Sequence, residues 1–143
     1  MELKNIKVLA FVDDEFEDLE MWYPVLRLKE AGAEVVTAGP KANEVYYGKY
    51  GVPLTSDADF EQIKADNFHG LYVPGGWAPD KLRRYERVLE LTRLFHQANK
   101  PIGHICHAGW VLASAKICEG YRMTSTPGIK DDLIHAGAEW VDE

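Results

Sequence analysis

Apolar and polar positions along the chain follow two rhythms that alternate with one another. Residues 6–12 form an apolar run broken only by Lys7, the pattern of a strand covered on both faces in a parallel sheet. A dense acidic turn follows, with Asp13, Asp14, Glu15, Glu17 and Asp18 ahead of Leu19, Trp22, Tyr23, Leu26 and Leu28, and Gly32 stands where a helix C-cap belongs. Pro24 removes one backbone donor inside that helix and predicts a kink. Residues 34–38 (EVVTA) read as a second strand that closes a βαβ unit.

Between residues 39 and 59 the periodicity weakens, and Pro40, Gly48, Gly51 and Pro53 punctuate Tyr46, Tyr47 and Tyr50, which predicts a small hairpin or a long loop. A third strand over 68–73 ends in Pro74-Gly75-Gly76, and one helical pattern then runs through Leu82, Val88, Leu91, Leu94 and Phe95. Residues 102–105 predict a fourth strand and 108–116 a helix, so the junction falls at Cys106-His107. A short strand over 121–125, a helix over 129–136 and a strand starting at 139 complete the reading. Strands alternating with helices imply an α/β fold, an open, doubly wound and mostly parallel sheet that binds ligands at the carboxyl ends of its strands.

The length of 143 residues, with 46% hydrophobic and 27% charged residues, predicts one globular domain spanning 1–143. The formal charge of −7 repels phosphate backbones and anionic membranes, so neither nucleic acid nor a membrane is expected as a partner. No apolar run is long enough to cross a bilayer and residues 1–5 lack a signal-peptide stretch, which predicts a cytoplasmic protein. Cys106 and Cys118 make no disulfide framework, and in a reducing compartment a significant cysteine is catalytic or redox-active.

The segment Gly103-His104-Ile105-Cys106-His107-Ala108-Gly109 places a thiol where a strand turns sharply into a helix. Such a nucleophile elbow holds the side chain exposed above the sheet, and the helix N-terminus that follows favours thiolate. His107 is placed to act as general base or to stabilise the thiolate. Cys118, before Glu119-Gly120, reads as a buried structural residue. His104, Cys106, His107 and His96 match no usual zinc spacing, so no metal is expected. Gly75 and Gly76 end the strand expected beside the one that carries Cys106, where bare N–H groups serve as an oxyanion hole. The acidic turn complements a helix dipole, and one of its carboxyl groups is placed to reach the crevice of Cys106.

Glu15-Phe16-Glu17-Asp18, Tyr23-Pro24, Arg27-Leu28-Lys29-Glu30, Pro74-Gly75-Gly76, Ala78-Pro79-Asp80, Ile105-Cys106-His107 and Thr126-Pro127-Gly128-Ile129-Lys130-Asp131-Asp132 resemble the PfpI intracellular-protease family of the ThiJ/PfpI superfamily along essentially the whole chain. The resemblance implies a flavodoxin-like fold of the class I glutamine amidotransferase-like group. It makes Cys106 the nucleophile, His107 its partner and Glu17 the carboxyl group contacting the thiol. The N–H groups of Gly76 and His107 become the oxyanion donors. Asp80 takes the position of an acid, Glu in many relatives, that reaches the Cys-His pair of a neighbouring subunit, which implies a homo-oligomer with a shared active site.

The activities implied are peptide hydrolysis, glyoxalase-type conversion of methylglyoxal and deglycation, with a small carbonyl compound or a peptide as substrate and no cofactor. A cysteine-dependent enzyme is thus expected, and a redox-sensing or chaperone-like stress protein with an oxidisable Cys106 is the alternative. Ala108-Gly109 departs from the usual Gly-Pro, and Trp77 stands where a smaller or basic residue is common. The family's C-terminal strand and helix are expected to be missing from this chain.

Overall fold

The computed structural model describes residues 1–143. Its centre is a parallel sheet of five strands: β1 (Lys7–Phe11), β2 (Glu34–Gly39), the two-residue β5 (Ala58–Asp59), β6 (Gly70–Val73) and β7 (Ile102–His104), in the order β5-β2-β1-β6-β7. Without the short β5 this is the order of a flavodoxin-like sheet. β1 lies in the middle, and Leu9, Ala10, Phe11 and Val12 are fully buried, as a strand covered on both faces must be. β6 and β7 are parallel neighbours in the register Leu71↔Ile102 to Val73↔His104, so their carboxyl ends place the Gly75-Gly76 turn next to Cys106.

The helix α1 (Asp18–Glu30) turns Asp18, Met21 and Val25 into the core, one stripe of a 3.6-residue repeat. Pro24 has no N–H for the carbonyl of Glu20, four residues back. The hydroxyl of Tyr72, on β6, donates to that carbonyl instead. The weakly patterned stretch is a hairpin of β3 (Val45–Tyr47) and β4 (Pro53–Thr55). Its turn is anchored by buried Asp18, which accepts from the N–H groups of Tyr50 at 3.0 Å and Val52 at 2.9 Å.

The helical pattern predicted as one element from Leu82 to Phe95 is two helices, α2 (Ala78–Leu82) and α3 (Glu86–Gln97). Tyr85 between them is extended and its ring packs on Phe60 at 5.2 Å, a contact that a continuous helix would lose. Past β7 comes a single 3-10 turn over Cys106–Ala108 and then α4 (Gly109–Ser114), shorter than predicted. After α4, β8 (Arg122–Met123) and β9 (Glu139–Trp140) flank α5 (Lys130–His135) and pair with each other in a separate small sheet, not with the central one. No helix is long and apolar enough to cross a membrane.

Candidate active site

Cys106 stands at the carboxyl end of β7 with φ 60°, the left-handed region, which costs a non-glycine residue about 1–2 kcal/mol. Ile105 before it is fully extended and Ala108 after it is buried. The abrupt change of direction lifts the sulfur off the strand, as the elbow pattern predicts.

Four groups converge on that sulfur. The backbone N–H groups of Gly76 and His107 both donate to it. The His107 ring stands with Nδ1 3.2 Å from Sγ. The Glu20 carboxyl is its hydrogen-bond partner from α1. Gly75 and Gly76 make this convergence sterically possible. A Cβ on Gly75 would lie 2.4 Å from Glu20 Oε1 and 2.7 Å from the Cys106 Cβ, and Gly76 adopts φ 74° with the Glu17 nitrogen 2.4 Å from where its Cβ would be. The acidic turn is clipped to this loop: Glu17 N–H donates to the Gly75 carbonyl at 3.2 Å and Trp77 N–H to the Glu15 carbonyl at 2.9 Å.

The acid beside the thiol is therefore Glu20, not Glu17. The Glu17 carboxylate is the N-cap of α1 and accepts from the N–H groups of Leu19 and Glu20, each at 3.0 Å. Those two donors are among the four that a helix start leaves unpaired, and a carboxylate that serves them points along the helix and away from the crevice. The signal for Glu20 lay in the spacing. The acid just ahead of the apolar repeat is the cap, and the next acid on that helix face is three residues on. A second residue that sequence reasoning passed over is Lys49, in the hairpin turn, whose charge acts on both His107 and Glu20.

Burial raises the Glu20 carboxyl above its ordinary range, and the nearby Glu17 charge adds to this. Burial and the Glu20 charge likewise push the Cys106 thiol up, against the pull of the two N–H groups. The low thiol pKa expected from a helix dipole is not what this environment produces, because burial and the Glu20 charge outweigh the two N–H groups. Thiol and carboxyl behave as one coupled pair in which loss of the first proton hinders loss of the second. The Glu20 carboxylate accepts from the thiol, which lowers Glu20 and raises Cys106, so the first proton leaves Glu20 and the carboxylate is poised to take the thiol's.

Burial, then the charge of Lys49, lowers His107 and keeps the imidazole neutral. Trp77 and Trp110 flank it, with ring centroids 5.1 and 5.0 Å from the imidazole. Beside Glu20 an apolar groove of about 290 Å³ opens between Leu19, Tyr23, Pro24 and Ile105. Asp80, on α2, is paired with Arg84 at 2.7 Å. Cys118 is fully buried and its thiol is pushed up to about 11 by that burial. No three His, Cys, Asp or Glu side chains are grouped as metal ligands.

The DJ-1/PfpI family pattern matches residues 6–143. A deglycase of Pyrococcus abyssi is 44% identical over 137 residues, 96% of this chain and 82% of that protein. Protein/nucleic acid deglycase 2 of Escherichia coli is 36% identical over 138 residues, 96% of this chain and 80% of that protein. Its name weighs against the exclusion of nucleic acid drawn from net charge, which bears on binding a phosphate backbone and not on a small adduct. Among solved structures, a two-domain protein of Anabaena variabilis with DJ-1/ThiJ/PfpI-like and ferritin-like domains superposes at a TM-score of 0.95 with 33% identity, over 97% of this chain and 40% of that one.

Proposed function

The chain belongs to the DJ-1/PfpI family, and from this we propose that it is a cysteine-dependent enzyme that attacks an electrophilic carbonyl, of the deglycase or glyoxalase kind. The observation that carries the reading is the left-handed Cys106 with two N–H groups and one protonatable carboxyl group converging on its sulfur. Glu20 takes the thiol proton. The sulfur lone pair forms the S–C bond, the carbonyl π pair moves to oxygen, and the N–H groups of Gly76 and His107 receive the oxyanion. Neutral His107 takes and returns the substrate's proton. A 2-oxoaldehyde gives a hemithioacetal in this step. A peptide, after expelling its amine, gives an acyl-enzyme.

Incubating the protein separately with methylglyoxal, a methylglyoxal-modified amine, a fluorogenic peptide and peroxide tests the reading. Loss of aldehyde or of adduct that is abolished in Cys106→Ser is the expected result. Peptide cleavage alone would make it a protease, and rapid oxidation of Cys106 without turnover would make it a redox sensor.

The assembly proposed is a homo-oligomer in which Asp80 serves a neighbour's Cys-His pair. Leu19, Tyr23 and Leu26, exposed along α1, support association of copies. Mixing inactive Asp80→Ala with inactive Cys106→Ser subunits should restore part of the activity, because some mixed sites have both residues intact. No recovery, with an active monomer, overturns the shared site.

A further inference from the structure

In an open doubly wound sheet the natural binding crevice lies where the strand order reverses. Here β1 has β2 on one side and β6 on the other, so the reversal is at the carboxyl ends of β1 and β6. A cavity of about 290 Å³ lined by Asp13, Asp14, Lys81, Arg84 and Tyr85 opens among the residues that follow these two strands. None of these residues is among those that converge on Cys106.

Asp13 is only 5% exposed. Its Oδ1 accepts from the Asp14 N–H at 2.8 Å, while its Oδ2 is buried with no hydrogen-bond partner at all. A buried acceptor left empty is destabilising, a cost that a ligand donor removes. Asp14 is engaged elsewhere, accepting from the Tyr47 N–H at 3.0 Å. The two cations are only loosely engaged. Lys81 meets Glu15 at 3.9 Å, and Arg84 bonds Asp80 through one nitrogen while its side chain stays 70% exposed, which leaves guanidinium donors free.

We propose that this cavity binds a small zwitterion of the α-amino-acid class, with its ammonium on Asp13 Oδ2 and its carboxylate on Lys81 and Arg84. Two acids and two cations on one wall sum to no net charge. A bare metal cation is repelled by Lys81 and Arg84, and a polyanion by Asp13 and Asp14, whereas a molecule that separates opposite charges answers both ends of the wall. The site goes beyond the reaction at Cys106 and requires no turnover there.

Calorimetric titration of the full chain with L-alanine, L-lactate, L-alaninamide and inorganic phosphate tests the proposal. Saturable binding of L-alanine is expected, with L-lactate, which lacks the ammonium, and L-alaninamide, which lacks the carboxylate, at least about tenfold weaker. Asp13→Asn, which keeps the side-chain shape, and Lys81→Met, at a half-buried position, should each weaken L-alanine by a similar factor. The rate of Cys106 alkylation should be unchanged in both, which shows an intact fold independently of activity. Absence of binding at millimolar L-alanine, equal binding of L-lactate or phosphate, or full binding in both variants overturns it. None of these outcomes bears on turnover, so they are distinct from failure of the proposed reaction.

Discussion

Glu17 and Glu20 are one helical turn apart and chemically identical, yet their environments give them different work. Glu17 is fixed by two backbone N–H groups at the helix start, so its removal is a capping loss of about 1 kcal/mol. Glu20 lies against sulfur, where its charge and its acceptor oxygen both favour the protonated thiol. Glu20→Leu should therefore lower the Cys106 pKa, and Glu20→Gln, which removes the same charge and offers the thiolate an N–H donor, should lower it at least as far. Glu17→Gln should leave it in place. Thiolate absorbance against pH on the three variants reads this directly, and a rise in Glu20→Leu would mean that Glu20 is protonated and donates to the thiolate. Iodoacetamide at neutral pH should label Cys106 well before Cys118, because Cys118 is fully buried with its thiol at about 11, and peptide mapping checks the order.

At the scale of elements, the turn of α1 that carries Glu20 is held from β6. Pro24 deprives the Glu20 carbonyl of its helical donor and the Tyr72 hydroxyl replaces it. Tyr72→Phe should then cost about 1 kcal/mol, the usual net value of such a bond. In a Pro24→Ala background, where residue 24 again supplies an N–H, the same change should cost much less. Urea denaturation of the two single variants and the double variant gives the coupling. Equal costs in both backgrounds would show that Tyr72 does not replace the missing bond. The same logic explains why α2 and α3 are separate: the helical periodicity persists through Tyr85, but the contact of Tyr85 with Phe60 comes from a distant segment.

Across the whole molecule, buried ionisable groups set how stability varies with pH. Burial raises Asp13 from 3.8 and Glu20 from 4.5. A carboxyl raised in the folded state binds more protons there than in the unfolded chain, so it lowers stability as pH climbs through the raised value and keeps it lowered above. Asp13→Asn and Glu20→Gln should both be more stable than the unmodified protein at neutral pH. The gain should fade as pH falls towards 3.8 for the first and 4.5 for the second. Burial lowers His104 and His107 from 6.5, which acts in the opposite sense: their contribution is full above that value and is lost as pH falls. Denaturation midpoints taken at each pH as differences between variant and parent isolate the carboxyl effect. A gain that grows towards acid would contradict the assigned direction.

Local pattern was enough for the parallel sheet, α1 and the elbow, because each rests on periodicity and turn chemistry within about ten residues, whereas it left the stretch over 39–59 as a hairpin or a loop. The buried run of β1, the two glycines after β6 and the thiol after β7 were legible in this way, and the doubly wound, parallel arrangement followed from the alternation of strands and helices. Which carboxyl group meets the thiol was not legible at that level. Glu17 and Glu20 differ only by a turn of helix, and the choice between them depends on where Gly75 and the Cys106 Cβ arrive from β6 and β7. The thiol's own pKa, the neutrality of His107 under Lys49 and the empty oxygen of Asp13 belong to the same class. Each is set by burial and by charges from segments distant in sequence, quantities that exist only once the chain is folded, because desolvation and Coulomb energies depend on distance in space and not on separation along the chain.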